Sequence, residues 1–312
     1  MPILLATLAV ALGQAPGATD ARELFADVGF QRGFTLTAAS HPTSDFEIGA
    51  LRTTDAPDVE PPAWRMAQWG TRQTLRPRRI VEADGRWSAE NQAKRVVLDR
   101  TGPDSVALLL EVRGGFEYDG RMRGDGEAWP HLLIEQAFPR PIVPSRFKTL
   151  TFAMEARVPF CKPAPWSVGK LDPGRHAAQV SAYWTVHDST KGNPDYQDMI
   201  WFGIPFFDAR HPIPPGHYAL DVGKDDATGK FICTFDGRRF WKSPTGDGAW
   251  HRLSVDMTAL LREALAISQK HGHLKATRYE DLAIDSFNLG WEIPGPYDAA
   301  FEVRGLSMRG GE

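Results

Sequence analysis

Apolar and polar positions alternate with a period of two along most of the chain, the pattern of strands that lay one face on a core. The alternation is cleanest over residues 149–158, where Leu150, Phe152, Met154, Ala156 and Val158 point one way and Thr149, Thr151, Glu155 and Arg157 the other. Residues 178–187 repeat it. Val180, Ala182, Trp184 and Val186 form the core face, and Gln179, Ser181, Tyr183, Thr185 and His187 form a polar face with an aromatic in it. In residues 131–138 the apolar set Leu132, Ile134 and Phe138 leaves His131 and Glu135 together on the opposite side. Residues 195–205 read as a central strand with Ile200, Phe202 and Ile204 inward and Gln197, Met199 and Trp201 outward. The same phase turns Asp198 to the core side.

The remaining segments complete an all-β pattern. Residues 33–37 read as a first strand, and residues 94–99 and 105–113 as two strands joined by a turn at 101–104. Residues 64–75 read as extended, and residues 114–128, rich in glycine and charge, as a loop. Residues 55–62 carry three prolines, which lack the donor a central strand needs, so they read as a loop. Asp236-Gly237 between alternating runs predicts a hairpin over 231–241. In residues 286–293, Phe287, Leu289 and Trp291 point inward, so Asn288 and Glu292 share the outer face; a last strand covers 299–308. Helical spacing is convincing only in 254–268, where Leu260, Leu261, Ala264 and Leu265 line one face behind a cap at Asp256 or Thr258. The predicted fold is a two-sheet antiparallel β-sandwich, a jelly roll with one helix in its C-terminal half, built as a single domain over residues 19–312.

Composition narrows the function classes. The formal charge of -3 comes from 36 Lys and Arg scattered among 39 Asp and Glu, with no basic face to hold a phosphate backbone, so nucleic acid is not an expected partner. Residues 1–12 are apolar and are followed by small residues at Gly13, Ala15, Gly17 and Ala18, the shape of a secretory signal cleaved near Ala15 or Ala18. The expectation is a secreted or periplasmic protein with no membrane association after cleavage. The two cysteines, Cys161 and Cys233, are open to one disulfide or to two unpaired thiols. No Gly-x-Ser-x-Gly elbow, phosphate loop, dinucleotide fingerprint or Cys-x-x-Cys pair is present. The sequence sets no oligomeric state.

An indole on an open sheet face can stack on the C–H face of a pyranose while amides and imidazoles bond its hydroxyls. Trp201 and Tyr183 are the candidate platforms, and Gln197, Gln179, His131, His187 and Asn288 the candidate polar contacts. Glycoside hydrolysis needs two carboxyl groups flanking the bond. Glu135 and Glu292 are the candidate pair, each outward on an otherwise apolar strand, with Asp198 as a third acid. The plain alternative is that these acids are surface charges bound to arginine. His211 and His217, like His271 and His273, lack metal-ligand spacing and read as solvated histidines. Asp221, Asp225 and Asp226 miss the pattern of a calcium loop, which leaves a structural Ca²⁺ open and no other cofactor expected.

Tyr196-Gln197-Asp198-Met199-Ile200-Trp201 resembles the Tyr-Glu-x-Met-Ile-Trp strand of the jelly-roll endoglucanases of glycoside hydrolase family twelve, and the whole chain is similar to concanavalin A-like glucanases and lectins. The resemblance implies the sandwich fold and a β-linked polysaccharide as ligand. The nucleophilic Glu of that strand is Gln197 here, and an amide can neither form a glycosyl ester nor titrate as a base. The leading expectation is a hydrolase of β-linked polysaccharide acting through Glu135 and Glu292. A non-catalytic lectin-like module using the same face is the second. A polysaccharide lyase drawing on Tyr183, His187, His131, Gln179 and Arg157 is the third, and a structural envelope protein without a glycan site is the fourth.

Overall fold

The computed structural model describes residues 21–40, 44–53, 60–76, 78–79, 81–102, 106–224 and 227–312. The signal expected at 1–18, most of the proline-rich loop at 55–62, part of the turn at 101–104, and Asp225 and Asp226 lie outside the described residues.

The described residues form two sheets that pack face to face, as the alternation requires. The larger has ten strands, in the order His217–Leu220, Phe231–Thr234, Met199–Asp208, Gln179–Asp188, Leu282–Glu292, His131–Ile142, Trp64–Ala67, Phe34–Ser40, Ser44–Arg52 and Arg78–Arg79. The smaller has eight. Its main path runs His251–Asp256, Thr149–Pro163, Tyr297–Gly311, Ala107–Arg113, Lys94–Asp99, Arg86–Glu90 and Val81–Ala83, with Arg22–Glu23 added beside Tyr297–Gly311. Most pairs are antiparallel; Phe231–Thr234 runs parallel to Met199–Asp208.

The inward residues meet between the sheets. Trp184 of the larger sheet packs on Phe152 of the smaller at 4.8 Å between ring centroids and on Phe287 at 5.1 Å. Trp291 packs on Phe207 and Phe301, and its indole N–H donates to the Leu110 carbonyl across the core at 3.0 Å. That bond satisfies the one polar atom a buried tryptophan carries.

The helix is Met257–Lys270, three residues later than the spacing predicts, because residues 251–256 are used as an edge strand beside Thr149–Pro163. Asp256 caps it by accepting from the Thr258 backbone N–H at 2.8 Å, and Leu260, Leu261, Ala264 and Leu265 are buried beneath it. Residues 231–241 do not form a hairpin. The Asp236 carboxylate accepts from the Arg238 N–H at 2.9 Å and starts a short 3₁₀ turn, Gly237–Arg239, after which Trp241 enters the core. Cys161 and Cys233 are free thiols on different sheets.

Candidate functional site

The larger sheet turns one face to the core and leaves the other open, and register lines up the outward residues in rows. Across one row Arg65, Glu135, Asn288, Tyr183 and Gly203 are directly paired neighbours. In a second row His131, Glu292, Gln179 and Asp208 are paired in the same way. Trp201, Thr185 and Ser286 make a third, on the far side of Tyr183.

Tyr183 is the best-fixed aromatic. Its hydroxyl is 3.0 Å from Thr234 Oγ1, and its ring meets Trp201 edge-on at 6.5 Å. The ring lies over Gly203, where a Cβ would stand 2.5 Å from Tyr183 Cε1. Burial pushes the Tyr183 phenol above its ordinary range, and the negative charge of Glu292 adds to this. Trp201 is half-exposed and donates from Nε1 to Thr228 Oγ1 at 3.1 Å.

Three carboxylates share the open face in different states. Glu135 is buried and held by Arg65, with Nε and Nη2 at 2.7 and 2.6 Å from one oxygen. Asp208 accepts from Arg210 Nε at 2.9 Å, Arg210 Nη2 at 2.7 Å and Gln179 Nε2 at 2.8 Å. Burial raises its pKa, but these donors outweigh burial and hold it below the usual carboxylate range. Glu292 is half-buried and, among the described residues, makes no hydrogen bond or ion pair. It is the one carboxylate of the three rows free to meet a ligand.

Glu135 and Glu292 share a face and adjacent strands, but Glu135 pairs with Asn288, four residues from Glu292. At ~3.4 Å of rise per residue and ~4.8 Å between strands, their Cα atoms are about 14 Å apart. Carboxyl groups that flank one glycosidic bond are roughly 5–9.5 Å apart. Asp198 is farther still: it precedes Met199–Asp208 and is ion-paired to Lys230 at 2.9 Å, about 30 Å along the strand from the Glu292 row by the same rise. Glu135 and Glu292 thus stand in different rows of the open face, and Asp198 lies ahead of its strand. Asp208 and Glu292 flank Gln179 in one row, about 10 Å apart at two strand spacings.

The polar candidates divide as well. Gln179 and Asn288 sit in the central rows, while His131, at the end of the second, approaches the Trp69 carbonyl at 3.3 Å. His187 lies at the other end of its strand, with Nδ1 2.6 Å from Asp285. Gln197 is not on a strand. It is exposed in a turn with φ 67°, its N–H donating to the Asp188 carbonyl, and the strand begins two residues later at Met199. Asp195 pins this turn by accepting from the Thr277 hydroxyl and the Ala276 and Thr277 backbone. The lyase constellation is split: Arg157 lies on the smaller sheet, ion-paired to Glu302 at 2.6 Å. Asp221 accepts from Thr228 and pairs with Lys224, and no cluster of metal-binding side chains occurs among the described residues.

Asp208, Gly203 and Thr234 were not singled out by sequence. Parity places Asp208 with Ile200 and Phe206 on the core side, but a bulge between the Val180 and Ser181 pairings flips it outward. Around the rows, a bridge between Gly126 and Lys224 joins the loop ahead of His131 to the loop after Leu220. Lys224 Nζ stands 4.8 Å from the Trp129 ring there.

No protein-family model matches the chain, and no curated protein matches it. Solved structures do. The folds it is similar to are jelly-roll glycoside hydrolases. A meso-active, thermo-stable cellulase derived from a Rhodothermus marinus cellulase is matched at 13% identity over 74% of this chain and 94% of that one, with a TM-score of 0.38. The xyloglucanase domain of a type three effector from Sinorhizobium fredii, in complex with cellobiose, is matched at 11% identity, 76% and 99% coverage and a TM-score of 0.36. A family 11 xylanase from Neocallimastix patriciarum follows at 8% identity, 73% and 97% coverage and a TM-score of 0.34.

Proposed function

We propose that the protein is a secreted carbohydrate-active protein that takes a β-linked oligosaccharide along the open face of the larger sheet and acts on it as a glycoside hydrolase, with Glu292 as the general acid. The carrying observation is that Glu292 is half-buried and unpartnered beside a fixed amide, in a face where Glu135 and Asp208 are each held by arginine. Tyr183 and Trp201 supply the aromatic surface; Gln179, Asn288 and Ser181 supply hydroxyl partners between them and the acid. Asp208 is the second carboxylate. Its depressed pKa keeps it ionised, and it stands across Gln179 from Glu292 in one row; an inverting pair there would hold its two carboxyl groups about 6.5–9.5 Å apart, with room for a water. The apolar stretch at residues 1–12 supports export.

A second reading has its own support. Both oxygens of Asp208 already accept hydrogen bonds, which suits an acid whose task is to orient Gln179 in a binding-only groove. Reducing-end release from a panel of β-glucans, xylans and xyloglucan decides between them. The hydrolase reading expects product from one polymer and a loss of 10²–10⁴-fold in Glu292→Gln, the usual contribution of a general acid. Binding retained in an affinity gel with no product from any polymer, and abolished by Trp201→Ala, supports the lectin-like reading and refutes hydrolysis.

A further inference from the structure

The outward face of the smaller sheet carries a second groove, of about 850 Å³, on the opposite side of the sandwich from Glu292. Its floor is apolar: Ala107 and Leu109 of one strand beside Val97 of the next. Its walls are charged, with five arginines against three carboxylates. The arrangement on one wall is rigid. The Trp250 indole is approached by two guanidinium groups, Arg157 at 4.7 Å and Arg304 at 4.2 Å from the ring centroid. Glu302 holds Arg157 at 2.6 Å and Glu155 holds Arg304 at 2.8 Å. Arg86 is matched by Asp99 at 2.8 Å.

Two arginines remain in excess. Arg252 is exposed and only 4.0 Å from Glu155, which Arg304 already occupies; Arg95 on the other wall is 3.9 Å from an exposed Glu90. Four strand spacings separate the strands of Arg252 and Arg95, so their Cα atoms are about 19 Å apart or more. A small anion cannot reach both. An apolar floor between two cationic walls suits an extended chain that has C–H faces and repeated carboxylates. It does not suit nucleic acid, whose bases need free aromatic faces, because guanidinium groups already stack on Trp250, the aromatic residue lining the groove.

We propose that this groove is a second carbohydrate site that binds a carboxylated polysaccharide, a uronate-rich chain, independently of the open face on the larger sheet. The arginine pairs on Trp250 act as a preformed wall, and Arg95 and Arg252 meet the carboxylates of the ligand. The site would hold the protein on acidic glycan while the other face meets a neutral β-linked chain.

Affinity electrophoresis of the full chain through gels containing polygalacturonate, at low and at moderate salt, tests this. The expectation is retardation that weakens as salt rises, a loss of at least 10-fold in apparent affinity for the Arg95→Glu/Arg252→Glu variant, and unchanged behaviour for Trp201→Ala. Because both arginines are exposed, circular dichroism of the double variant is expected to match wild type. Absence of retardation, equal retardation of the variant, or RNA competing as well as polygalacturonate would each overturn the proposal. Loss of retardation in Trp201→Ala would overturn it too, by placing the acidic glycan on the larger sheet. Failure of the hydrolase assay leaves it unaffected, since that assay reads the other face.

Discussion

Gly203→Ala tests how the open face is assembled. Gly203 stands between Tyr183 and Thr234 in register, and a Cβ there would lie 2.5 Å from Tyr183 Cε1, 2.9 Å from Tyr183 Cδ1 and 2.6 Å from Thr234 Oγ1. The backbone strand is hydrogen-bonded on both sides, so the tyrosine must yield. Forcing a methyl into a packed site costs ~1–3 kcal/mol, and displacing the phenol from Thr234 forfeits part of a hydrogen bond of ~0.5–1.5 kcal/mol. Thermal denaturation should show a Tm several degrees lower, at ~2–4 °C per kcal/mol for a chain of this size class. Because the displaced ring leaves its position beside Trp201, affinity for the neutral glycan should fall ~10-fold, equivalent to about 1.4 kcal/mol. Tyr183→Phe keeps the ring in place and should change affinity by less than ~3-fold. The decisive comparison is the double variant Gly203→Ala/Tyr183→Ala, in which the clash with the ring is gone and only that with Thr234 Oγ1 remains. Its stability should exceed the sum of the two single effects by ~1 kcal/mol, the coupling expected of residues in contact. An unchanged Tm and affinity in Gly203→Ala, or strict additivity in the double variant, would show that the ring does not rest on this glycine.

Three further outcomes follow from other parts of the molecule. Lys94 and Glu117 are a fully buried ion pair in which Glu117 also accepts from the Thr71 hydroxyl at 2.7 Å and the Arg72 N–H at 3.0 Å. Urea titration should show Glu117→Gln destabilising by ~3–5 kcal/mol and Lys94→Met by less, since the carboxylate keeps its other donors; the reverse order would contradict this account. Hydrogen bonding from Arg121 lowers the Glu127 pKa to about 2 against the opposing effect of burial, and Asp208 is also depressed. A carboxyl whose folded pKa lies below its unfolded value stabilises fully above the unfolded pKa, so Tm should be flat above pH ~5 and fall between pH ~4 and ~2; a Tm that holds through that window would refute the assignment. Burial pushes both thiols up, Cys161 and Cys233 each to about 12, so the native protein should be inert to a thiol reagent at pH 8 and give two titratable thiols once denatured. A single mass two units lower with no titratable thiol would indicate a bridge instead.

Much of the fold is legible in the sequence because it depends on parity. Trp184, Phe202, Phe287 and Trp291 were placed in the core by alternation, and all are buried. The helix was legible from Leu260, Leu261 and Leu265, and its start was displaced only because the edge strand His251–Asp256 claims the residues ahead of it. What parity misses is local competition for backbone groups. Asp236 and Asp195 each use a side-chain carboxylate to fix a turn, so the expected hairpin and the expected early start of the Met199–Asp208 strand both give way. Of residues 196–201, which resemble a glucanase strand, only the last three are in the strand; Tyr196 makes an isolated bridge to Asp188 and Gln197 is in a turn.

The candidate site shows the same limit more sharply. Parity tells which face a residue joins, but chemistry between two carboxylates depends on the row, and rows are fixed by register and bulges. Glu135 and Glu292 satisfy parity but stand in different rows, their Cα atoms about 14 Å apart on neighbouring strands. Asp208 fails parity and satisfies the row, because the irregularity opposite Val180 and Ser181 reverses the last residues of its strand. That bulge also sets the Phe207 ring against Trp291 in the core, so the packing of Phe207 and the outward placement of Asp208 are one event. One residue inserted between Phe207 and Asp208 would leave Phe207 on Trp291 and turn Asp208 inward. Loss of glycan recognition by such an insertion, with Asp208→Asn milder, would separate the contribution of the row from that of the charge.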